Sequence, residues 1–375
     1  MTNITNNTSI TNNIALNNSN KPKKKRINKY DNMKGIAIFL VVLFHILGTH
    51  IPKFPYYDQF YYFLYLFHMP IFFFVGGYLI NFTKDSPIKA FKSLMIPYFV
   101  FSVIWYILEV LFYNFSISDI INSIPFINPP YGLWFLFSLF IMRLILPILK
   151  KIKNILWISI LVALFVGFMP LPLPAFLSRT FCFIPIFIVG FRYQTYKSRF
   201  ITFLNNLSEN KYLNSVYNFL IKWKKEILII LFIILLIFAW EFTGIVPNKA
   251  TMMNKGYFKF NITLIEGVIM RLITIALGIF ASILLNELIS NTKSFITKLG
   301  VYSLSIYLLH FLFIRATVKI VKMLKIKTII HGNIIFSILF IAILLGVIIF
   351  VLSRDSVNKY FTKFLDLWRN LILSN

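Results

Sequence analysis

The chain is predicted to be all-α, a polytopic transmembrane bundle of about ten helices with both termini in the cytoplasm. Three observations predict this. Apolar residues make up 58% of the 375 and charged residues only 13%, where a soluble domain carries about a quarter. Mean hydropathy is +0.78. The apolar residues also gather in runs of about 20, the length at which a helix crosses a hydrocarbon core of ~30 Å. Helices are the expected form, because each one satisfies its own backbone hydrogen bonds where there is no water to do so.

Taken in order, the apolar windows predict spans over 35–52, 60–82, 93–113, 131–149, 154–173, 180–195, 226–245, 262–285, 300–318 and 334–353. Residues 1–30 read as a polar and then basic cytoplasmic tail, disordered and without a signal peptide. Residues 31–353 read as the membrane domain, and 354–375 as a short basic helix on the cytoplasmic side. The windows carry no repeat of fixed period, which argues against an inverted-repeat transporter.

Charge orients the bundle. With the N-terminus inside, 26 Lys and Arg residues fall on the inner side and 10 on the outer, while Arg143 and Arg271 fall within spans. Cytoplasmic loops carry such an excess, so the net charge of +26 is explained without nucleic acid. The exception is 315–333, which puts Arg315, Lys319, Lys322, Lys325 and Lys327 outside, as an amphipathic interfacial helix or a holder of something anionic. The single cysteine, Cys182, excludes intramolecular disulfides and cysteine-rich metal sites.

Polar groups inside a span are costly and therefore mark function. At a rise of ~1.5 Å per residue, His45 lies ~16 Å above Lys34, near the midplane. His68 lies ~24 Å and His310 ~15 Å from the inner edge, and His50 falls near the outer mouth. Glu109, Arg143, Glu241, Glu266 and Arg271 are further buried candidates. Glu266 and Arg271 stand five apart and do not face each other on one helix, so each should meet a partner elsewhere. Asp31 and Lys34, three apart, are placed to pair at the start of the first span.

Four segments stand out: Asp31-Asn32-Met33-Lys34 with His45 eleven residues beyond Lys34; Phe67-His68-Met69-Pro70 running to Gly76-Gly77-Tyr78; Leu133-Trp134-Phe135-Leu136 with Leu139-Phe140; and Gly300-Val301-Tyr302-Ser303-Leu304-Ser305-Ile306-Tyr307-Leu308-Leu309-His310. In this order, from about residue 30 to 350, they resemble the acyltransferase-3 family of bacterial membrane O-acyltransferases, especially its fucose-acetylase-like branch. Many members carry arginine where this chain has Lys34, an Arg-x-x-Arg pair where it has Lys89 and Lys92, and Ser-Gly where it has Gly76-Gly77. Charge survives these changes, but bidentate recognition by a guanidinium does not.

The resemblance implies an enzyme of the bacterial cell membrane. It would move an acyl group, most simply acetyl, from acetyl-CoA as a diffusible donor, with no bound cofactor, to a hydroxyl of a glycan or lipid-linked sugar. His45 is then the general base, or a transient acyl carrier, because its pKa range suits proton transfer near neutral pH. Lys34, paired with Asp31, and Lys89 and Lys92 would meet the donor from the inside. Glu266 would stabilise a protonated histidine, while His68, His310 and Arg271 would support the site. Trp134 and Tyr131 would offer an aromatic surface to a sugar. For Gly76 and Gly77 close helix packing is the simpler role. Two other classes compete: a glycan transporter or flippase, and a metal or haem protein using embedded histidines. The second lacks two histidines at metal-ligand spacing on one helix face.

Overall fold

The computed structural model describes residues 27–50, 55–80, 86–113, 116, 118, 132–169, 177–209 and 212–373. It is helical throughout, with no strand among these residues. The helices are α1 (Asn28–Thr49), α2 (Tyr57–Leu79), α3 (Ile96–Tyr113), α4 (Trp134–Leu149), α5 (Ile155–Phe165), α6 (Leu177–Glu209), α7 (Asn214–Lys222) and α8 (Lys224–Ile245). They continue with α9 (Leu264–Leu288), α10 (Phe295–Val301), α11 (Ser303–Met323), α12 (Lys327–Gly332), α13 (Ile334–Leu352) and α14 (Asp355–Ile372).

Each of the ten apolar windows coincides with a helix. Among the described residues seven helices are long and apolar enough to cross a membrane, while Trp134–Leu149 and Ile155–Phe168 are apolar but shorter. Differences lie at the ends. α6 runs 33 residues, well past its apolar window, because hydropathy ends at about residue 195 while the helical backbone does not. The 1–30 tail is only partly described, and α1 begins within it, at Asn28. The basic stretch from 315 divides: Arg315 lies inside α11, where its guanidinium is 2.5 Å from the Glu109 carboxylate on α3. This partner removes the need for an anionic ligand at that residue.

α2 is the axis of the bundle, packing on α1, α6, α8 and α9. Of its most apolar window 78% is buried, against 17% for α8. That contrast sorts the helices into a central set, whose apolar faces meet protein, and a peripheral set facing lipid. Where α2 crosses α6 the backbones touch. A β-carbon on Gly77 would stand 2.1 Å from the Phe187 carbonyl oxygen, and one on Gly190 2.0 Å from that of Phe74. Close approach therefore requires glycine in both helices, as the sequence predicts for Gly77.

The Lys34 end of the fold is tied by polar side chains. Asn32 donates to the carbonyls of Ser290 (3.0 Å) and Thr292 (2.9 Å) and accepts from the Thr297 hydroxyl (2.5 Å). It thereby fixes the start of α1 against the loop before α10. α14, the predicted C-terminal helix, packs on α3 and holds the same end: Asn358 donates to Leu352, Tyr302 donates to Asp355 at 2.7 Å, and Arg369 donates to the Lys92 carbonyl at 3.2 Å.

Candidate active site

Two helices supply the central histidines in a way that fixes their chemistry. His68 donates from Nδ1 to the Leu64 carbonyl at 2.8 Å, and His310 from Nδ1 to the Ile306 carbonyl at 3.0 Å. Each partner sits one turn back on the same helix, where side chains lean. A carbonyl only accepts, so both rings carry their proton on Nδ1 and leave Nε2 as a lone pair. His310 Nε2 is buried without a partner among the described residues. Such an orphan is costly unless a ligand, a water or a transferred proton uses it.

His45, on α1, lies beside His310 and lines the same cavity as His68. Its ring centroid lies 5.3 Å from that of His310 and 4.5 Å from that of Phe311, and Phe44 stacks toward His68 at 4.9 Å. Three histidines from three separate spans thus meet in one place, as their estimated depths implied.

His45 and His68 border a cavity of about 330 Å³ lined also by Tyr61, Tyr65, Met69, Gly132, Trp134, Arg179, Met252 and Tyr307, with His310 behind it against the His45 ring. Apolar and aromatic walls with a few converging polar groups are the usual character of a small-molecule site. Arg179 is the group sequence reasoning overlooked. It lies between two apolar windows and counts there as an ordinary outer charge. In the fold it opens α6, donates to the Met252 carbonyl at 3.3 Å, and holds its guanidinium 4.9 Å from the Trp134 ring centroid.

A second cavity, of about 210 Å³, is lined by Lys34, Phe72, Val75, Gly76, Leu79, Ser93, Leu94, Phe135, Leu136, Leu139, Ser303, Leu304 and Tyr307. It is almost wholly apolar beneath one cation. Lys34 reaches Asp31 at 2.8 Å, confirming the expected pair. Lys89 and Lys92 are exposed at the same end, with the Lys89 backbone N–H accepted by the Ser86 hydroxyl. The motif residues Gly76, Phe135, Leu136 and Leu139 are therefore wall, and Gly76 lines space as well as packing on Leu139.

Other predicted residues lie elsewhere. Glu266, expected inside a span, is exposed. Its carboxylate accepts from the Thr263 backbone N–H at 2.8 Å and the Thr263 hydroxyl at 2.9 Å, closing the capping box that starts α9. Thr263-x-x-Glu266 is the sequence signature of that motif, so the correction was readable. Glu241 is likewise exposed. Arg271 is buried, but it donates to the carbonyls of Ala163 (3.1 Å) and Lys255 (2.9 Å) and lies over Tyr257, tying α9 to α5 and the loop before α9. Arg143 donates to Ser93 at 3.2 Å, behind the second cavity. His50 bonds Thr317 at 3.1 Å. Tyr131 lies outside the described residues. No cluster of three or more metal-ligating His, Cys, Asp or Glu side chains occurs among the described residues.

No curated protein and no solved structure matches the chain. A family model does: an acyltransferase domain, acyltransferase 3, over residues 27–352. The match takes in both cavities and stops short of α14, and it identifies the chain as a member of this family of membrane acyltransferases.

Proposed function

We propose that the protein is an O-acetyltransferase of the bacterial cell membrane. It moves acetyl from acetyl-CoA to a hydroxyl of a cell-surface or secreted glycan. The observation that carries this reading is the position of His45 Nε2 beside the contact between Gly132 and Tyr307, the residue that lines both cavities. Charge distribution makes the Lys34 end cytoplasmic, so acetyl-CoA arrives there. Lys34, Lys89 and Lys92 meet its phosphates as point charges, and the apolar cavity takes the pantetheine arm. The acceptor enters the other cavity, against Trp134 and Arg179.

His45 Nε2 then takes the proton of the acceptor hydroxyl as the oxygen attacks the thioester carbonyl. The new C–O bond forms, the C–S bond breaks, and the sulfur leaves with the proton as free CoA thiol. His310, pinned through its own Nδ1, packs its ring against His45 and supports it from α11. Such proton transfer contributes about 10²–10⁴-fold to a rate.

Surface glycans from cells carrying His45→Ala as the sole copy test the proposal. Acetyl esters should vanish while the protein remains at wild-type abundance. Unchanged esterification would remove the assignment.

A further inference from the structure

Among their described lining residues the two cavities share a single side chain, Tyr307. It stands on α11 one turn before His310 and is buried against the Phe135 ring of the third motif, 5.8 Å away. Its hydroxyl donates to the carbonyl of Gly132. Gly132 has φ +81°, a backbone state that glycine enters readily and other residues rarely do. A β-carbon there would stand 3.7 Å from His45 Nε2 and 3.9 Å from the Tyr307 oxygen. The Tyr307–Gly132 bond therefore joins the side chain common to both cavities to a residue that lines the His45 cavity, close to His45 Nε2.

We infer that Tyr307 is a latch and a positioning residue for the thioester. With no donor bound, its phenol closes on Gly132 and separates the two cavities. When an acylated pantetheine arm fills the Lys34 cavity, the phenol leaves the Gly132 carbonyl and donates instead to the thioester carbonyl oxygen. That exchange of one acceptor for another keeps a buried hydroxyl satisfied throughout. It opens the passage only when a carbonyl is present to receive the bond, and it places a donor where negative charge develops during attack. Water and acceptor are kept from the donor cavity until then. The inference rests on the acetyl-transfer reading, but the partition itself is geometric.

Two measurements test it. The first is independent of activity: Met69→Cys, on the far side of Tyr307 in a Cys182→Ser background, is challenged in sealed vesicles with a small membrane-impermeant methanethiosulfonate on the Lys34 side. Labelling should be at least tenfold faster when Tyr307→Ala is added; equal rates would overturn the latch. The second covers a Tyr307→Ala chain that fails to fold. Tyr307→Phe keeps the ring and removes the bond. It should lower kcat about 10²-fold, leave KM for acetyl-CoA within twofold, and raise acetyl-CoA hydrolysis in the absence of acceptor. Wild-type kcat and hydrolysis in Tyr307→Phe would overturn the inference. If the wild-type protein transfers no acetyl, or His45→Ala transfers it undiminished, the acetyl-transfer reading fails, and the labelling rates still decide the latch.

Discussion

The two ends of the passage are built on opposite principles. At the His45 end the groups around the base are held in place: His68 and His310 through Nδ1 by carbonyls of their own helices, Arg179 by Met252 and the face of Trp134. At the Lys34 end the charges lie nearer the surface. Lys89 and Lys92 are exposed, and Lys34 has Asp31 as its ion-pair partner on the next helical turn. The difference matches what the proposed reaction asks of each end. Proton transfer requires one tautomer at one place and suffers from small displacements. Phosphate recognition by ammonium groups tolerates movement, because a point charge has no preferred direction.

Substitutions should therefore divide by end. The largest effect belongs to His45→Ala, which should cost at least about 10² in kcat with KM for acetyl-CoA little changed, read with purified protein and labelled donor. Next is His310→Phe. It removes the bare Nε2 while keeping an aromatic volume, so the fold should survive with kcat lower by about tenfold. A kcat within twofold of wild type would make His310 a packing residue only.

At the Lys34 end the expected effects are smaller and different in kind. Lys89→Ala and Lys92→Ala should each raise KM for acetyl-CoA a few-fold at low salt and leave kcat alone, since an exposed ion contact contributes about 0.2–1 kcal/mol. Adding salt should erase the difference between variant and wild type. A salt-independent change would mean that these lysines act through structure.

The smallest effect concerns α14. The Tyr302 hydroxyl first, and then Lys298 at 3.0 Å, hold the Asp355 carboxyl below its ordinary range. A carboxyl depressed in the folded state stabilises above its unfolded pKa and loses that contribution as pH falls through its folded value. Anchoring of α14 should thus be full above about pH 4 and weaken only below it, followed by spin-label mobility at residue 359. Asp355→Asn should remove the pH dependence; an unchanged profile would place the anchor in the Asn358 contacts.

Much of this was legible in the chain. Apolar windows found the helices because lipid imposes one length and one backbone form. Lys34, His45, His68 and His310 were legible because an ionisable group in a span has few harmless reasons to be there. Arg179 was not, since a charge at the edge of an apolar run looks like loop orientation until the fold turns it toward a cavity. Glu266 misled for the converse reason: hydropathy counted it within a span, while its own Thr263 had already claimed it as a cap. Tyr307 lay in plain view in the fourth motif, but its role comes from two cavities that only packing creates.

The central claim is that a donor on one side and an acceptor on the other meet at His45. Sealed vesicles with acetyl-CoA confined to the Lys34 side and a glycan acceptor confined to the opposite side test it most directly. The account predicts acetylated acceptor with the wild-type protein, none with His45→Ala, and none when donor and acceptor are exchanged. Equal transfer from either side, or transfer by the His45→Ala protein, would contradict it.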